Sequence, residues 1–139
     1  MIRTMRTAIL VGVLMAALSC AKTEKAPEGA TRNAESWLVL VDQGKYGESW
    51  DIAAKAFQTA VKREGWEQAA AAARSPLGKL ISRKQKSATF ATSLPGAPDG
   101  KYVVIQFDSS FEHKKEAVET VTPMQESDGS WKVSGYYIK

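Results

Sequence analysis

The sequence has very few of the side chains on which metal sites and nucleophilic catalysis usually depend. Among its 139 residues there is one cysteine, Cys20, and one histidine, His113. A single cysteine cannot form a disulfide within the chain, and with one histidine it cannot supply the usual ligands of a zinc site. The sequence also lacks a GxSxG nucleophile elbow, an EF-hand spacing of acidic residues and a glycine-rich phosphate loop. We therefore expect no metal ion and no cofactor.

The sequence has little excess charge of either sign. Its 19 lysines and arginines face 15 acidic residues, and without Arg3 and Arg6, which precede an apolar run, the balance is 17 against 15. The densest basic stretch, "KLISRKQK" from Lys79 to Lys86, has no aromatic residues of the kind that stack on nucleic-acid bases. We expect a solvated strand face there and no nucleic-acid partner.

Only one long apolar run is present, from Ala8 to Leu18, and it is interrupted only by Gly12. A membrane-spanning helix needs about 20 apolar residues, so this run is too short to remain in a bilayer. A basic start followed by an apolar run of this length is typical of a secretory signal peptide. The sequence therefore predicts an exported protein whose residues 1–19 are removed.

The cleavage site surrounds the single cysteine. The stretch "ALSC", Ala17 to Cys20, resembles the lipobox of bacterial lipoproteins, and that resemblance implies lipidation of Cys20 and attachment to a membrane. Ala21, in place of Asp, then implies the outer membrane, with the domain facing the periplasm. Ordinary signal cleavage after Ser19 or Ala21 is the alternative, and it would give a soluble periplasmic protein.

Beyond the cysteine the composition divides the chain in two. Residues 20–31 are small and polar and contain Pro27 and Gly29, which predicts a lipidated cysteine followed by a flexible tether. Residues 32–139 contain no comparable break and are long enough to bury one core, so we expect a single domain there.

The periodicity of apolar residues predicts helices first and strands afterwards. One helix is indicated by Ala34, Trp37, Leu38 and Val41, a second by the apolar spacing from Tyr46 to Phe57, and a third from near Trp66 to before Pro76. The second half predicts strands at "KLISRKQKSATFATSL", "KYVVIQFDSSF", "EAVETVTPMQE" and "SWKVSGYYIK". Turns are indicated at "PGAPDG" and Asp128-Gly129. The fold class is α+β, with helices on one face of an antiparallel sheet of about four strands.

The last predicted strand should place Trp131, Val133 and Tyr137 on one face, because side chains alternate along a strand. Gly135 would share that face and suggests a bend or a close approach by another element. Tyr136 would then lie on the opposite face, and whichever tyrosine lies off the core is the better candidate for a ligand or partner surface.

Three segments resemble the bacterial family called domain of unknown function 4019: "WLVLVDQGKYGESWDIAAKAF", the stretch from "ARSPLGKLISRKQ" to "IQFDSSF", and "AVETVTPMQESDGSWKVSGYYIK". The resemblance covers nearly all of the chain from Ala34 onward and implies no activity. The order of helices followed by a curved sheet is also similar to the nuclear transport factor 2-like cone. Enzymes of that cone commonly place an ionisable residue inside a cavity.

Few residues are candidates for chemistry or binding. Among the acids near predicted apolar faces, Asp108 is the catalytic candidate, because it shares a strand face with Tyr102 and Gln106. Tyr102, Gln106 and Tyr136 are the candidate binding residues. We expect His113 to be an exposed loop histidine, since no nucleophile or carboxylate motif accompanies it.

The leading hypothesis is a non-enzymatic, membrane-anchored lipoprotein whose small domain binds a small apolar ligand or a protein partner in the cell envelope. One alternative is a cone-type isomerase or dehydratase that acts on a small apolar substrate. Another is a structural accessory of an envelope complex. A deep cavity holding an ionisable group would favour the enzyme, whereas a filled interior with an exposed aromatic residue would favour binding.

Overall fold

A computed structural model describes residues 26–139. The predicted signal peptide, Cys20 and the tether up to residue 25 lie outside the described residues. Residues 28–31, which the sequence assigns to the tether, instead form the first turn of a helix, and Ala30 is fully buried. The prediction of a tether is wrong for these four residues, because they are continuous with α1 and Ala30 packs into the core. No helix within residues 26–139 is long and apolar enough to cross a membrane.

Four α-helices and one 3₁₀ turn form the first half of the domain. Their bounds are α1 Glu28–Asp42, α2 Tyr46–Asp51, α3 Lys55–Ala60, α4 Arg63–Arg74 and the 3₁₀ turn Ser75–Leu77. The predicted apolar stripe of α1 is confirmed, since Trp37, Leu38 and Val41 are all buried. Gly44 follows α1 with a φ of 73°, a conformation that glycine adopts readily at helix ends. This glycine turns the chain towards α2.

The second predicted helix is interrupted. Instead of one helix, α2 and α3 are separated by an extended Ala54, whose N–H donates to the carbonyl of Val133 in the sheet at 2.8 Å. The side-chain amide of Gln58 donates to the carbonyl of Trp50 at 2.9 Å and so satisfies the end of α2. The prediction of a continuous helix is wrong because the hydrogen bond from Ala54 to the distant Val133 leaves no trace in the local apolar spacing.

The second half is a four-stranded antiparallel sheet in the order β1-β2-β3-β4. The strands are β1 Leu80–Ala91, β2 Tyr102–Phe111, β3 Lys114–Gln125 and β4 Trp131–Ile138. As predicted, β1 is an edge strand with a wet face, and β3 and β4 form a hairpin around Asp128 and Gly129. Gly129 has a φ of 86° and its N–H donates to the carbonyl of Glu126. The α+β class and the four antiparallel strands are confirmed.

The helices lie on one side of this sheet, and the face towards them is called here the covered face; the other is the open face. Helices α1 and α3 pack on the covered face directly, α4 reaches it through Trp66 and Arg74, and α2 packs on the other helices. On the covered face Val103, Ile105 and Phe107 of β2 are buried, as their alternation predicts. The ring of Trp37 on α1 lies 5.7 Å from that of Trp66 on α4, measured between centroids. The space between helices and sheet is therefore filled by side chains.

The face assignment of β4 differs from the sequence prediction. Thr122 of β3 pairs with Gly135 and Pro123 pairs with Val133, so one residue, Ser134, is inserted as a bulge. The extra residue puts Tyr136 on the covered face beside Val133 and turns Tyr137 outward, with 52% of its surface exposed. The predicted bend near Gly135 exists, but the grouping of Tyr137 with Trp131 and Val133 is wrong.

Candidate functional site

The covered face contains four charged side chains in mutual contact: Asp42, Arg74, Arg83 and Glu119. We call them the ion cluster. Arg83 donates to the two carboxylate oxygens of Asp42 at 2.8 and 2.9 Å, and its Nε donates to Glu119 at 2.8 Å. Arg74 donates to Asp42 at 2.8 Å, and its Nη1 lies 3.7 Å from the second oxygen of Glu119. The cluster holds two positive and two negative charges and is electrically balanced.

Glu119 is the centre of this arrangement and is fully buried. Besides Arg83, it accepts a hydrogen bond from the hydroxyl of Ser109 at 2.6 Å and one from the hydroxyl of Tyr136 at 2.5 Å. A buried carboxylate is tolerated only when its oxygens are paired in this way. Tyr136, a predicted binding residue, is half-buried on the covered face and donates its hydroxyl hydrogen to this carboxylate.

Helix ends position two members of the ion cluster. Asp42 is the last residue of α1, where the helix dipole disfavours a negative charge, and the two arginines offset that cost. Arg74 is the last residue of α4, where the dipole favours a positive charge, and its guanidinium also lies 4.6 Å from the centre of the Phe111 ring. Arg83 and Glu119 come from β1 and β3 and complete the contact between helices and sheet.

The environment of the ion cluster shifts the pKa of Asp42 and that of the adjoining Tyr136 in opposite directions. Burial alone would raise the pKa of Asp42, but hydrogen bonds from Arg83 and Arg74 outweigh burial and hold that pKa below its usual value. Burial, then the charge of Glu119, raises the pKa of Tyr136 far above its ordinary range. Asp42 therefore stays ionised and Tyr136 stays protonated near neutral pH, so neither group is suited to proton transfer there.

The candidate residues on β2 lie on the open face, because they alternate with the buried residues of that strand. Asp108 has 60% of its side chain exposed and lies 4.0 Å from the ammonium of Lys86. Gln106 is half-buried. Tyr102 is almost fully buried beneath the β1–β2 loop, and its hydroxyl donates to the carbonyl of Pro98. The structure thus places Asp108 and Gln106 on one accessible surface and removes Tyr102 from it.

A groove of about 550 Å³ lies on the open face beside Asp108. Three lysines line it, Lys84 from β1, Lys115 from β3 and Lys139 after β4, together with the hydroxyl-bearing Ser82 and Ser110. Glu116 and Val118 complete its wall. We call this recess the open-face groove.

A second cavity and the single histidine offer fewer groups for binding or catalysis. A shallow cavity of about 510 Å³ lies where the ion cluster approaches the surface, lined by residues that include Asp42, Arg74 and Lys79. His113 is exposed in the β2–β3 turn, as expected, and its backbone N–H donates to the carbonyl of Leu77. Across residues 26–139 no three His, Cys, Asp or Glu side chains are grouped so as to hold a metal ion.

Sequence reasoning missed Arg74, Arg83 and Glu119 as a group. Arg83 was assigned to a solvated basic face, but only 13% of its side chain is exposed because it pairs with both acids. The sequence pattern that could have indicated the cluster lies in β3, where Glu119 shares a strand face with the apolar Ala117 and Val121. An acid at a core position requires a buried basic partner, and that requirement points to arginines elsewhere in the chain.

A family model described as protein of unknown function (DUF4019) matches residues 33–136. The chain belongs to this family. The matched region contains all four residues of the ion cluster, so that cluster lies within the DUF4019 domain. It also contains the bulge of β4 and most of the open-face groove. None of the curated proteins compared with the chain matches it.

Proposed function

We propose that this protein is an exported lipoprotein, anchored through Cys20, whose DUF4019 domain binds a protein partner of the cell envelope through its open face. The observation that carries the proposal is the division between the two faces. The helices cover one face, where the ionisable groups are engaged with one another, and leave the other face open with a groove. That division supports a binding role.

Binding is better supported than catalysis because, within residues 26–139, the buried acids are engaged by arginines and the acid at the open-face groove is exposed. The buried acids Asp42 and Glu119 are paired with arginines, and Asp108 is largely exposed to solvent. General acid–base catalysis needs a positioned group whose pKa suits proton transfer near the operating pH. An exposed aromatic ring, Tyr137, adjoins the open face, and exposed aromatic side chains are enriched in binding surfaces.

The proposed location rests on the N-terminal sequence. A basic start, an apolar run and "ALSC" favour lipidation of Cys20. Two or more acyl chains anchor a protein stably, whereas one chain holds only marginally. We expect the intact mass of the membrane-bound protein to show a lipid adduct on Cys20 and Cys20→Ala to abolish it. Unmodified processed protein in the soluble periplasmic fraction would contradict the anchor.

The open face can be tested by photo-crosslinking in living cells. A photoreactive amino acid placed at Tyr137 should give one discrete protein adduct, because that side chain lies on the proposed surface. The matched control is Val39, which is 49% exposed but lies on α1 among the helices. Adducts from position 39 and none from position 137 would move the interaction to the helical side.

A cone-type isomerase or dehydratase is the second candidate, favoured by the presence of Asp108 at a groove of small-molecule size. If the domain is a binding module, Asp108→Asn removes only an exposed charge. We expect this variant to fold, to accumulate normally and to complement a deletion strain as well as the unaltered protein. Complete loss of complementation at normal abundance would favour the enzyme.

A further inference from the structure

We propose that the open-face groove recognises an acidic protein segment, through the ammonium groups of Lys84, Lys115 and Lys139. This inference rests on the proposed function, since it states the chemistry of the partner that the open face would bind.

The three lysines lack acidic partners of their own. All three are exposed, and within residues 26–139 no carboxylate lies within 4.0 Å of their ammonium groups. They come from three different elements and meet at one recess. Each therefore remains available to pair with a carboxylate brought by another molecule.

The acids in the groove do not cancel this positive charge. Asp108 and Glu116 also line it, but Asp108 faces Lys86 at 4.0 Å on the neighbouring strand. Counting Lys86, four lysines meet two acids around the recess. The side-chain charge around the recess is therefore net positive, and a net positive concave surface attracts acidic ligands and raises their rate of association.

The surface beside the groove carries polar groups that suit a peptide. Gln106, Thr120 and Tyr137 are register neighbours across β2, β3 and β4 on the open face. Thr120 itself is buried, so the accessible polar groups of this strip are the Gln106 amide and the Tyr137 hydroxyl. Lys139 lies 6.0 Å from the centre of the Tyr137 ring, which joins this strip to the groove. A peptide backbone supplies both donors and acceptors to such a strip.

The position of the groove favours a protein over a lipid surface. The described chain enters the domain at α1, where Gly29 lies against Trp131 at the start of β4. The groove instead lies among the last residues of β2 and the first of β3, at the opposite end of the sheet. An anchor that precedes α1 would therefore attach at the end of the domain away from the groove.

The probe for this proposal is fluorescein-labelled hexaglutamate, with labelled hexalysine as the charge control. The protein is purified from cells in mild detergent, and binding is followed by fluorescence anisotropy at low and high salt. We expect hexaglutamate to bind, hexalysine not to bind, and the affinity to fall as salt rises. The double variant Lys84→Glu/Lys115→Glu should bind at least about 10-fold more weakly, since two attractions become repulsions.

Lys62→Glu is the matched control, because Lys62 is an exposed lysine beside α4 on the helical side. It should change the affinity less than about twofold, as expected for a charge far from the site. Thermal unfolding of each variant confirms that the fold is intact.

Equal affinity of the double variant and the unaltered protein for hexaglutamate would overturn the proposal. So would equal binding of hexalysine, or binding to phosphatidylglycerol vesicles without binding to hexaglutamate. These outcomes are separable from failure of the proposed function. A lipid on Cys20 and a crosslink from position 137 would uphold the binding role even if the partner were not acidic.

Discussion

Glu119 is the residue whose environment is least expected from its chemistry. A carboxylate without any solvent exposure is held by one guanidinium, two hydroxyl groups and the nearby charge of Arg74. Such a buried pair contributes little net stability compared with an apolar core, but removing one partner leaves the other charged and unpaired. The sensitivity of the protein to substitution is therefore concentrated at these few side chains.

We expect Glu119→Gln to lower the free energy of unfolding by about 3 to 5 kcal/mol, the usual cost of breaking a buried ion pair. The size of the side chain is retained, so the loss reports charge and not volume. Urea denaturation followed by tryptophan fluorescence measures it. The matched control is Asp51→Asn, which removes the acid of the exposed pair with Arg63 and should have only a small effect. Similar losses of unfolding free energy in the two variants would show that the buried ion cluster contributes no more than an exposed ion pair.

Asp42 makes the stability depend on acid. Because its pKa is lower in the folded protein than in the unfolded chain, its contribution is fully present above about pH 4 and is lost as the pH falls through the folded value. Asp42→Asn should therefore be less stable than the unaltered protein near neutrality, and the difference should shrink on acidification below about pH 4. Urea midpoints measured from pH 6 downward test this. A difference that grew towards low pH would contradict it.

At the scale of elements, local periodicity predicted those helices and strands whose buried faces are regular. The stripe of α1 and the alternation of β2 were correct because each element has one continuous contact with the core. The break between α2 and α3 and the bulge at Ser134 were missed because each depends on backbone groups from another part of the chain. The apolar spacing within either segment does not depend on those backbone contacts and so could not predict them.

Because of the bulge, we expect the loss of the hydroxyl group to affect stability at Tyr136 but not at the adjacent Tyr137. Tyr136→Phe removes a hydrogen bond to a buried carboxylate and should lower the free energy of unfolding by about 1 to 3 kcal/mol. Tyr137→Phe removes an exposed hydroxyl and should have almost no effect. Comparing the urea midpoints of the two single variants measures the difference. Reversed effects would mean that β4 follows uninterrupted alternation.

At the scale of the whole molecule, the two faces of the sheet separate stability from recognition. The sequence placed Asp108 and Gln106 on one strand face, and the structure confirms that both lie on the open face. It could not show that Lys84, Lys115 and Lys139 meet there, since they are brought together by strand register. Register follows from the packing of the covered face and from turn geometry, which single-strand patterns do not contain.

The ion cluster also has a consequence for the rates of folding and unfolding. Its hydrogen bonds join residues 32, 36 and 41 positions apart, and its members come from both helical and strand segments. These contacts require the helices and the sheet to be docked and the charged groups to be desolvated, so we expect the cluster to form after the folding transition state.

Asp42→Asn should accordingly accelerate unfolding and leave the refolding rate almost unchanged. Stopped-flow measurements over a range of urea concentrations separate the two rates. Equal changes in both rates would place the cluster partly in the transition state. With the expected result, the cluster acts as a latch that closes last and sets how long each folded molecule survives before it opens.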